Sequence, residues 1–143
     1  MIELITDYPL AYESNDHNFP HGTKNDNSTN KRFIEELHTL KQGSLNILDL
    51  GCSGGQLVVD FINHREGNKG VGIEGSDYSV KRKRANCPEY YNKNLFTADI
   101  TKPFTVKNIK FDFITLWEVL EHIHKEQLPN CLKILRIILN QTV

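Results

Sequence analysis

Short apolar runs alternate with amphipathic stretches along most of the chain, after a polar leader that comprises residues 1–30. The runs 45–50, 69–74, 94–98 and 110–116 have the length and apolar content of strands in a parallel sheet that is covered on both faces. The segments between them are long enough for helical or loop crossovers. This alternation predicts an α/β fold with a parallel sheet over residues 31–143.

Three stretches predict helices around that sheet. The stretch 31–41 has apolar residues at helical spacing, polar residues 28–30 as candidate N-caps, and Gly43 as its terminator. The stretch 56–65 follows the first apolar run and contains no helix breaker. The stretch 128–139 has one apolar face, made of Leu128, Cys131, Leu132, Leu135, Ile138 and Leu139.

The first apolar run ends in a glycine-rich turn, Asp49-Leu50-Gly51-Cys52-Ser53-Gly54-Gly55. Glycine allows positive φ, so the backbone can approach a ligand at the N-terminus of the next helix. A dinucleotide site would have the form G-x-G-x-x-G, and the carboxylate of Asp49 would repel a pyrophosphate but suits an ammonium or a sulfonium. The turn therefore favours a nucleotide-type cofactor and disfavours an NAD-dependent oxidoreductase. A turn that only joins a strand to a helix is the alternative.

A second acidic residue, Glu74, ends the next apolar run. In a βαβ unit an acid at the tip of the second strand lies across the crevice from the glycine turn. Its two oxygens can accept hydrogen bonds from both hydroxyls of a ribose. The sequence therefore predicts a ribose-binding carboxylate at Glu74, with a solvated carboxylate in the turn 75–77 as the alternative.

These motifs resemble those of one enzyme family, the class I S-adenosylmethionine-dependent methyltransferases. The pattern Asp49-x-Gly51-x-Ser53-x-Gly55 resembles their motif I, acid-x-Gly-x-Gly-x-Gly, with Ser53 in place of the middle glycine. The block FDFITLWEVLEHI, residues 111–123, resembles their motif IV and its sequel. The resemblance covers residues 45–139 and implies a Rossmann-like doubly wound sheet of order 3-2-1-4, which right-handed crossovers also predict.

The resemblance implies S-adenosyl-L-methionine as cofactor and in-line transfer of its methyl group to an acceptor that the sequence does not identify, with O-methylation as one option. It also implies that Asp99 receives the adenine amino group and that the backbone of Ile100 meets the ring. The alternative is a non-catalytic cofactor-binding fragment or one half of a split enzyme. The expected cofactor-binding residues are Asp49, Gly51, Cys52, Ser53, Gly55, Glu74, Gly75, Asp99, Ile100 and Trp117.

Three polar residues after the fourth strand offer a further motif. If the stretch is helical, Glu118, Glu121 and His122 stand at i, i+3 and i+4 and share one face. Two groups of O-methyltransferases, which act on the 3′ end of small RNA or in ubiquinone biosynthesis, hold a divalent ion with Glu-x-x-Glu-His, and such an ion would activate the acceptor hydroxyl. A role in cofactor packing or helix capping is the alternative, and no metal is assigned.

The composition of the chain bears on its number of domains, its partners and its location. The chain has 143 residues, 38% of them hydrophobic, and a net charge of −1, which fits one domain without a strongly charged partner. Four consecutive cations, residues 81–84, are expected on the solvated face of a helix that Cys87-Pro88 closes. No stretch suggests a membrane span or a secretory signal, so a cytoplasmic location is expected.

Both ends of the chain carry an expectation. The leader 1–30 is predicted to act as a lid or substrate contact, with a disordered tail as the alternative. The family continues beyond the fourth strand to the order 3-2-1-4-5-7-6, and these letters end before the added strands. The fourth strand is therefore expected to form an exposed edge that favours self-association or pairing with a complementing segment.

Overall fold

The computed structural model describes residues 1–12 and 30–141. The strands are β1 (Glu3–Thr6), β2 (Asn46–Leu50), β3 (Lys69–Glu74), β4 (Leu95–Thr97), β5 (Phe104–Lys107) and β6 (Phe113–Leu116). The helices are α1 (Asn30–Leu40), α2 (Gln56–His64), α3 (Tyr78–Lys81), α4 (Cys87–Tyr90) and α5 (Leu128–Leu139), and Leu120–His122 form a 3₁₀ turn. Of the leader 1–30 that was expected to form a lid, residues 13–29 lie outside the described residues.

The main sheet is parallel and has the order β4-β3-β2-β6. This is the predicted order 3-2-1-4, with the strands renumbered, so the prediction of a Rossmann-like α/β fold is confirmed. In its register Asp49 of β2 pairs with Gly72 of β3 on one side and with Thr115 of β6 on the other. The switch in strand order therefore lies beside β2, at the point where the glycine turn begins.

The two faces of the sheet are covered by different elements, as the alternation of side chains along a strand requires. Ile47 of β2 packs in a cluster with Ile34 of α1 and Phe61 of α2. Its neighbour Leu48 belongs to a second cluster, which includes Ile134 of α5 and residues of β5. β2 is therefore buried on both faces, and this fixes the carboxyl end from which the site is built.

A small second sheet was not foreseen. β1 pairs antiparallel with β5, with Leu4 opposite Val106. The first strand lies inside the stretch that the sequence identified only as a polar leader. Its pattern was too short to signal a strand, and Ile5 is 41% exposed. The pairing joins segments about a hundred residues apart, which no local pattern can specify.

The helix expected to carry the four cations was wrong in extent. α3 ends at Lys81, and Lys83 and Ala85 adopt positive φ of 51° and 47°. Left-handed residues interrupt a right-handed helix. Cys87-Pro88 opens α4 instead of closing the preceding helix, because proline is tolerated in the first helical turn, where its missing N–H is not needed. Most of the cations therefore lie in an irregular turn.

Candidate cofactor-binding site

The glycine turn connects β2 to α2 and contains three left-handed residues. Gly51, Ser53 and Gly55 have φ of 74°, 51° and 80°. The serine, and not the adjacent Gly54, takes the middle left-handed position, which is where the family's pattern has glycine. The N–H groups of Gly51 and Cys52 both donate to the carbonyl of Ile73, at 2.8 and 3.3 Å, and so tie the turn to β3.

Close packing also demands glycine in this turn. A Cβ on Gly51 would lie 2.3 Å from Cγ2 of Val119, and one on Gly55 would lie 2.5 Å from Cδ1 of Leu95. Contacts this short do not occur between real side chains. The turn is therefore held between the segment after β6 and the start of β4, with its backbone at the carboxyl edge of the sheet.

Glu74 lies across the crevice from this turn, as predicted, and its carboxylate is bound by backbone donors. Oε2 accepts a 2.9 Å hydrogen bond from the N–H of Ser53, and Oε1 accepts one of 3.1 Å from the N–H of Ser76. The residue is only 8% exposed. The alternative of a solvated turn carboxylate is therefore wrong, because Glu74 bridges β3 to the glycine turn.

Asp49 is buried beneath the turn and shares the site with Glu74. Its Oδ1 accepts a 2.7 Å hydrogen bond from the hydroxyl of Thr115 on β6. Burial raises the pKa of Asp49 to about 7; the bond from Thr115 opposes this shift, and the negative charge of Glu74 adds to it. A cationic ligand beside Asp49 would relieve both the burial of charge and the repulsion between the two carboxylates.

The side chain of Cys52 packs between the turn and β3. Its Sγ occupies the space above Gly72 of β3, where a Cβ would lie 2.7 Å from the sulfur. Burial, followed by the nearby charges of Glu74 and Asp49, raises the pKa of the Cys52 thiol well above its usual range. The thiol is therefore neutral and acts as a small packing residue in this structure.

Asp99 and Ile100 follow β4 at the same edge of the sheet. The carboxylate oxygen Oδ1 of Asp99 accepts bonds from the N–H and the hydroxyl of Thr101, at 2.9 and 2.6 Å. The side chain of Ile100 is buried in the core. The two bonds to Asp99 fix the turn after β4. Because its side chain is buried, Ile100 can meet a ligand only through its backbone.

Trp117 follows β6 and is 56% exposed. Its ring meets Phe33 of α1 edge to face, with centroids 5.1 Å apart and planes at 81°. The next residue, Glu118, has a φ of +50°, so the chain turns sharply at this point. Trp117 thus packs on α1 at the carboxyl end of β6, two positions before Val119, whose side chain covers Gly51.

The expected helical face of Glu118, Glu121 and His122 does not form. Glu118 is left-handed, and the 3₁₀ turn contains only Leu120–His122. A spacing of i, i+3 and i+4 brings side chains together only in a continuous α-helix. Within residues 1–12 and 30–141, no three His, Cys, Asp or Glu side chains are placed to hold a metal ion.

Two site residues were missed by sequence reasoning. Thr115, which binds Asp49, is the single hydroxyl residue inside an otherwise apolar strand, and that exception was the available signal. Tyr12 places its hydroxyl 3.4 Å from Oε1 of Glu74. No spacing motif links a leader residue to the end of β3, so this contact required the tertiary structure.

Comparisons with known proteins identify the family to which this fold belongs. A family model described as a methyltransferase domain matches residues 23–141. Ubiquinone biosynthesis O-methyltransferases of Coxiella burnetii, strains Dugway 5J108-111 and RSA 493 among them, are 31% identical over 112 residues, which is 77% of this chain and 46% of the relative. The chain thus spans about half the length of the curated relatives it matches.

A solved structure has the same fold. Magnesium protoporphyrin IX methyltransferase from Synechocystis PCC 6803, with bound SAH, superposes with a TM-score of 0.50 at 17% identity, over 84% of this chain and 59% of that one. Since the family model matches most of the sequence, the chain belongs to the class I S-adenosylmethionine-dependent methyltransferase family. The predicted family, and with it S-adenosylmethionine as the methyl donor of that family, is confirmed.

No helix within the described ranges is long and apolar enough to cross a membrane.

Proposed function

We propose that this chain binds S-adenosylmethionine at the carboxyl edge of β2, β3 and β4 and supports transfer of its methyl group. One observation carries the proposal: the carboxylate of Glu74 is buried and held against the backbone of Ser53, across the crevice from β2. A buried carboxylate is an unfavourable arrangement unless its acceptor capacity is used. A ribose hydroxyl would use the acceptor position that the protein's own donors leave.

Each predicted residue takes a proposed role in that complex. Glu74 accepts from the ribose, and Asp49 stabilises the positive charge of the amino acid and sulfonium part of the cofactor. The turn brings its backbone close to the ligand because glycine and left-handed φ leave room there, while the N–H groups of Gly51, Cys52 and Ser53 are bonded within the protein. Adenine lies near Asp99 and Ile100, and Trp117 bounds the far side. The turn contributes Gly51, Cys52, Ser53 and Gly55 to the proposed site, and Gly75 directly follows β3.

The chemistry we propose is methyl transfer to an oxygen nucleophile, since the relatives are O-methyltransferases by name. The acceptor oxygen attacks the methyl carbon in line with the C–S bond, so that the O–C bond forms as the C–S bond breaks; S-adenosylhomocysteine leaves, and the acceptor proton passes to solvent. Catalysis of this kind rests on positioning the two reactants. No catalytic base is assigned, and the identity of the acceptor is open. A cytoplasmic location also stays a prediction.

Calorimetric titration tests the cofactor assignment. We expect S-adenosylmethionine and S-adenosylhomocysteine to bind the purified chain at one site, and NAD to give no heat of binding. Binding of NAD alone, or of none of the three ligands by a folded chain, would contradict the proposal. Transfer of a labelled methyl group to phenolic acceptors then tests for turnover, with the Glu74→Ala variant as the matched blank.

A second candidate is cofactor binding without turnover until a further segment pairs with β6. This strand pairs with β2 on one side and has no other strand beside it in the described part of the chain. An unpaired edge strand is a template for association. Analytical ultracentrifugation decides between the two: an active monomer supports the first candidate, whereas an oligomer, or a monomer that binds cofactor without turnover, supports the second.

A further inference from the structure

Residues 8–12 cross the carboxyl edge of the main sheet and form what we call the crossing segment. Its start is anchored to β4, because the N–H of Asp99 donates to the carbonyl of Tyr8 at 2.9 Å. Its end is anchored to β3, because the N–H of Ala11 donates to the carbonyl of Gly75 at 2.9 Å. The segment therefore touches both strand ends that carry the proposed adenosine contacts.

Tyr12 brings its phenol from this segment to Glu74. The hydroxyl donates to Oε1 over 3.4 Å, and ring atom Cε1 packs within 3.3 Å of the position of a Cβ on Gly75. A parallel bridge between Tyr12 and Ser76 fixes the backbone beside it. The phenol is thus held in place by neighbours of the carboxylate that it approaches.

The number of hydrogen bonds that Glu74 can accept limits how many ribose hydroxyls it can bind alone. An ionised carboxylate offers about four acceptor positions, two on each oxygen. Oε1 receives the N–H of Ser76 and the hydroxyl of Tyr12, and Oε2 receives the N–H of Ser53. About one position on Oε2 is left, whereas a ribose presents two hydroxyl donors.

We propose that the phenol oxygen of Tyr12 is the second ribose acceptor, an inference that rests on the proposed cofactor function. A phenol that donates its proton to a carboxylate can accept a hydrogen bond on its own oxygen. One ribose hydroxyl then donates to Glu74 and the other to Tyr12, whose oxygen is made a better acceptor by the charge behind it. Tyr12 is therefore a cofactor-binding residue that distinguishes ribose from deoxyribose.

The experiment compares dissociation constants of the wild-type chain, Tyr12→Phe and the control Tyr91→Phe. Tyr91 follows α4, and its backbone forms a bridge with Leu95, the first residue of β4. The ligands are S-adenosylhomocysteine and its 2′-deoxy and 3′-deoxy analogues. We expect Tyr12→Phe to weaken S-adenosylhomocysteine binding about 5- to 10-fold and to lose the preference for one hydroxyl, while Tyr91→Phe keeps the wild-type values.

Other results overturn the inference. Unchanged or tighter binding by Tyr12→Phe would mean that the phenol is dispensable, or that it occupies the place of a ribose hydroxyl and competes with it. An equal loss for all three ligands would mean that Tyr12 only supports the fold, and thermal unfolding of each variant measures that support directly. If the folded wild-type chain binds no S-adenosylhomocysteine, the proposed function itself fails, and this inference fails with it.

Discussion

The backbone N–H of Ser53 donates a 2.9 Å hydrogen bond to Oε2 of Glu74, joining two residues that are 21 positions apart. The left-handed φ of 51° at Ser53 belongs to the same turn, whose backbone conformation brings this N–H to β3. The bond joins the turn after β2 to the tip of β3 at the point where the proposed ribose lies. The backbone conformation of Ser53 and the position of the Glu74 carboxylate therefore depend on each other.

Removal of the Glu74 carboxylate tests its proposed role in binding the ribose. Glu74→Ala leaves the Ser53 N–H and one ribose hydroxyl without an acceptor, and we expect S-adenosylhomocysteine affinity to fall by about 2–4 kcal/mol. Glu74→Gln keeps the shape and one acceptor oxygen, so its loss should be smaller. Calorimetry on both variants gives the two values. Wild-type affinity in folded Glu74→Ala would show that the ribose lies elsewhere.

Substitutions at two glycines with similar φ but different surroundings test how tightly the turn is packed. Gly55 has φ +80°, and an added Cβ would meet Leu95, whereas Gly43 has φ +91° with nothing within 4 Å. Gly43→Ala should therefore cost only backbone strain, about 1 kcal/mol. Gly55→Ala should add overpacking and cost about 2–4 kcal/mol in total. Denaturant unfolding measures the difference, and equal losses would mean that Leu95 moves aside freely.

The buried Asp49 gives stability a dependence on pH. Its folded pKa of about 7 lies above the value near 4 of an unfolded aspartate, so the folded state holds more protons between these limits. Stability should therefore fall as pH rises from about 4 to 7 and level off above the folded pKa. Asp49→Asn should remove this part of the slope and be more stable than wild type at pH 8, by at least about 1 kcal/mol.

Unfolding curves of both proteins at several pH values between 5 and 8 test this directly. Parallel pH profiles for wild type and Asp49→Asn would show that Asp49 is ionised throughout. The same aspartate predicts that affinity for a cationic cofactor rises with pH across 7, whereas binding of an uncharged adenosine should change little.

His38 predicts a slope of the opposite sign. Burial lowers the pKa of His38, and the charges of Arg65 and His64 lower it further. Its ring stacks on His64 with centroids 5.5 Å apart, and its Nε2 lies 3.2 Å from the Asn68 side-chain amide. An unfolded histidine takes up its proton near pH 6.5, before the folded one does, so this contribution to stability is lost as pH falls below about 6.5.

Subtracting the unfolding free energy of His38→Gln from that of wild type at each pH isolates this effect. The difference should fall as the pH is lowered from 7.5 to 5.5. A flat profile for His38→Gln would place the titration elsewhere.

Trp117 offers an optical test, because it is the only tryptophan in the chain. It is 56% exposed and stands two positions before Val119, the residue that covers the glycine turn. Binding of S-adenosylhomocysteine should therefore shift the tryptophan emission to shorter wavelength as water is displaced from the ring. Trp117→Phe should abolish the signal and weaken binding only a few-fold, about 1 kcal/mol. Saturated binding by calorimetry without any change in emission would place Trp117 outside the site.

Local patterns in the sequence determined the central architecture and most of the candidate site. The apolar run before Gly51, the acid at Glu74 and the amphipathic period of α1 each express a constraint that acts within a few residues. The predicted apolar face of α5 was wrong at Leu132 and Leu139, which are 50% and 39% exposed. Parallel strands joined by right-handed crossovers then permit little choice of order. For this reason the sheet order and the position of Glu74 opposite the turn could be predicted.

Tertiary structure alone decided the contacts that join distant segments. β1 finds β5 across about a hundred residues, Thr115 finds Asp49 across 66, and Tyr12 finds Glu74 across 62. Each depends on loop closures and on the packing of both faces of the sheet, which leave no periodic trace in the sequence. The helix ends at Lys81 and the turn at Glu118 belong here too, because packing overrode helix propensity and left those backbones with interrupted or left-handed conformations.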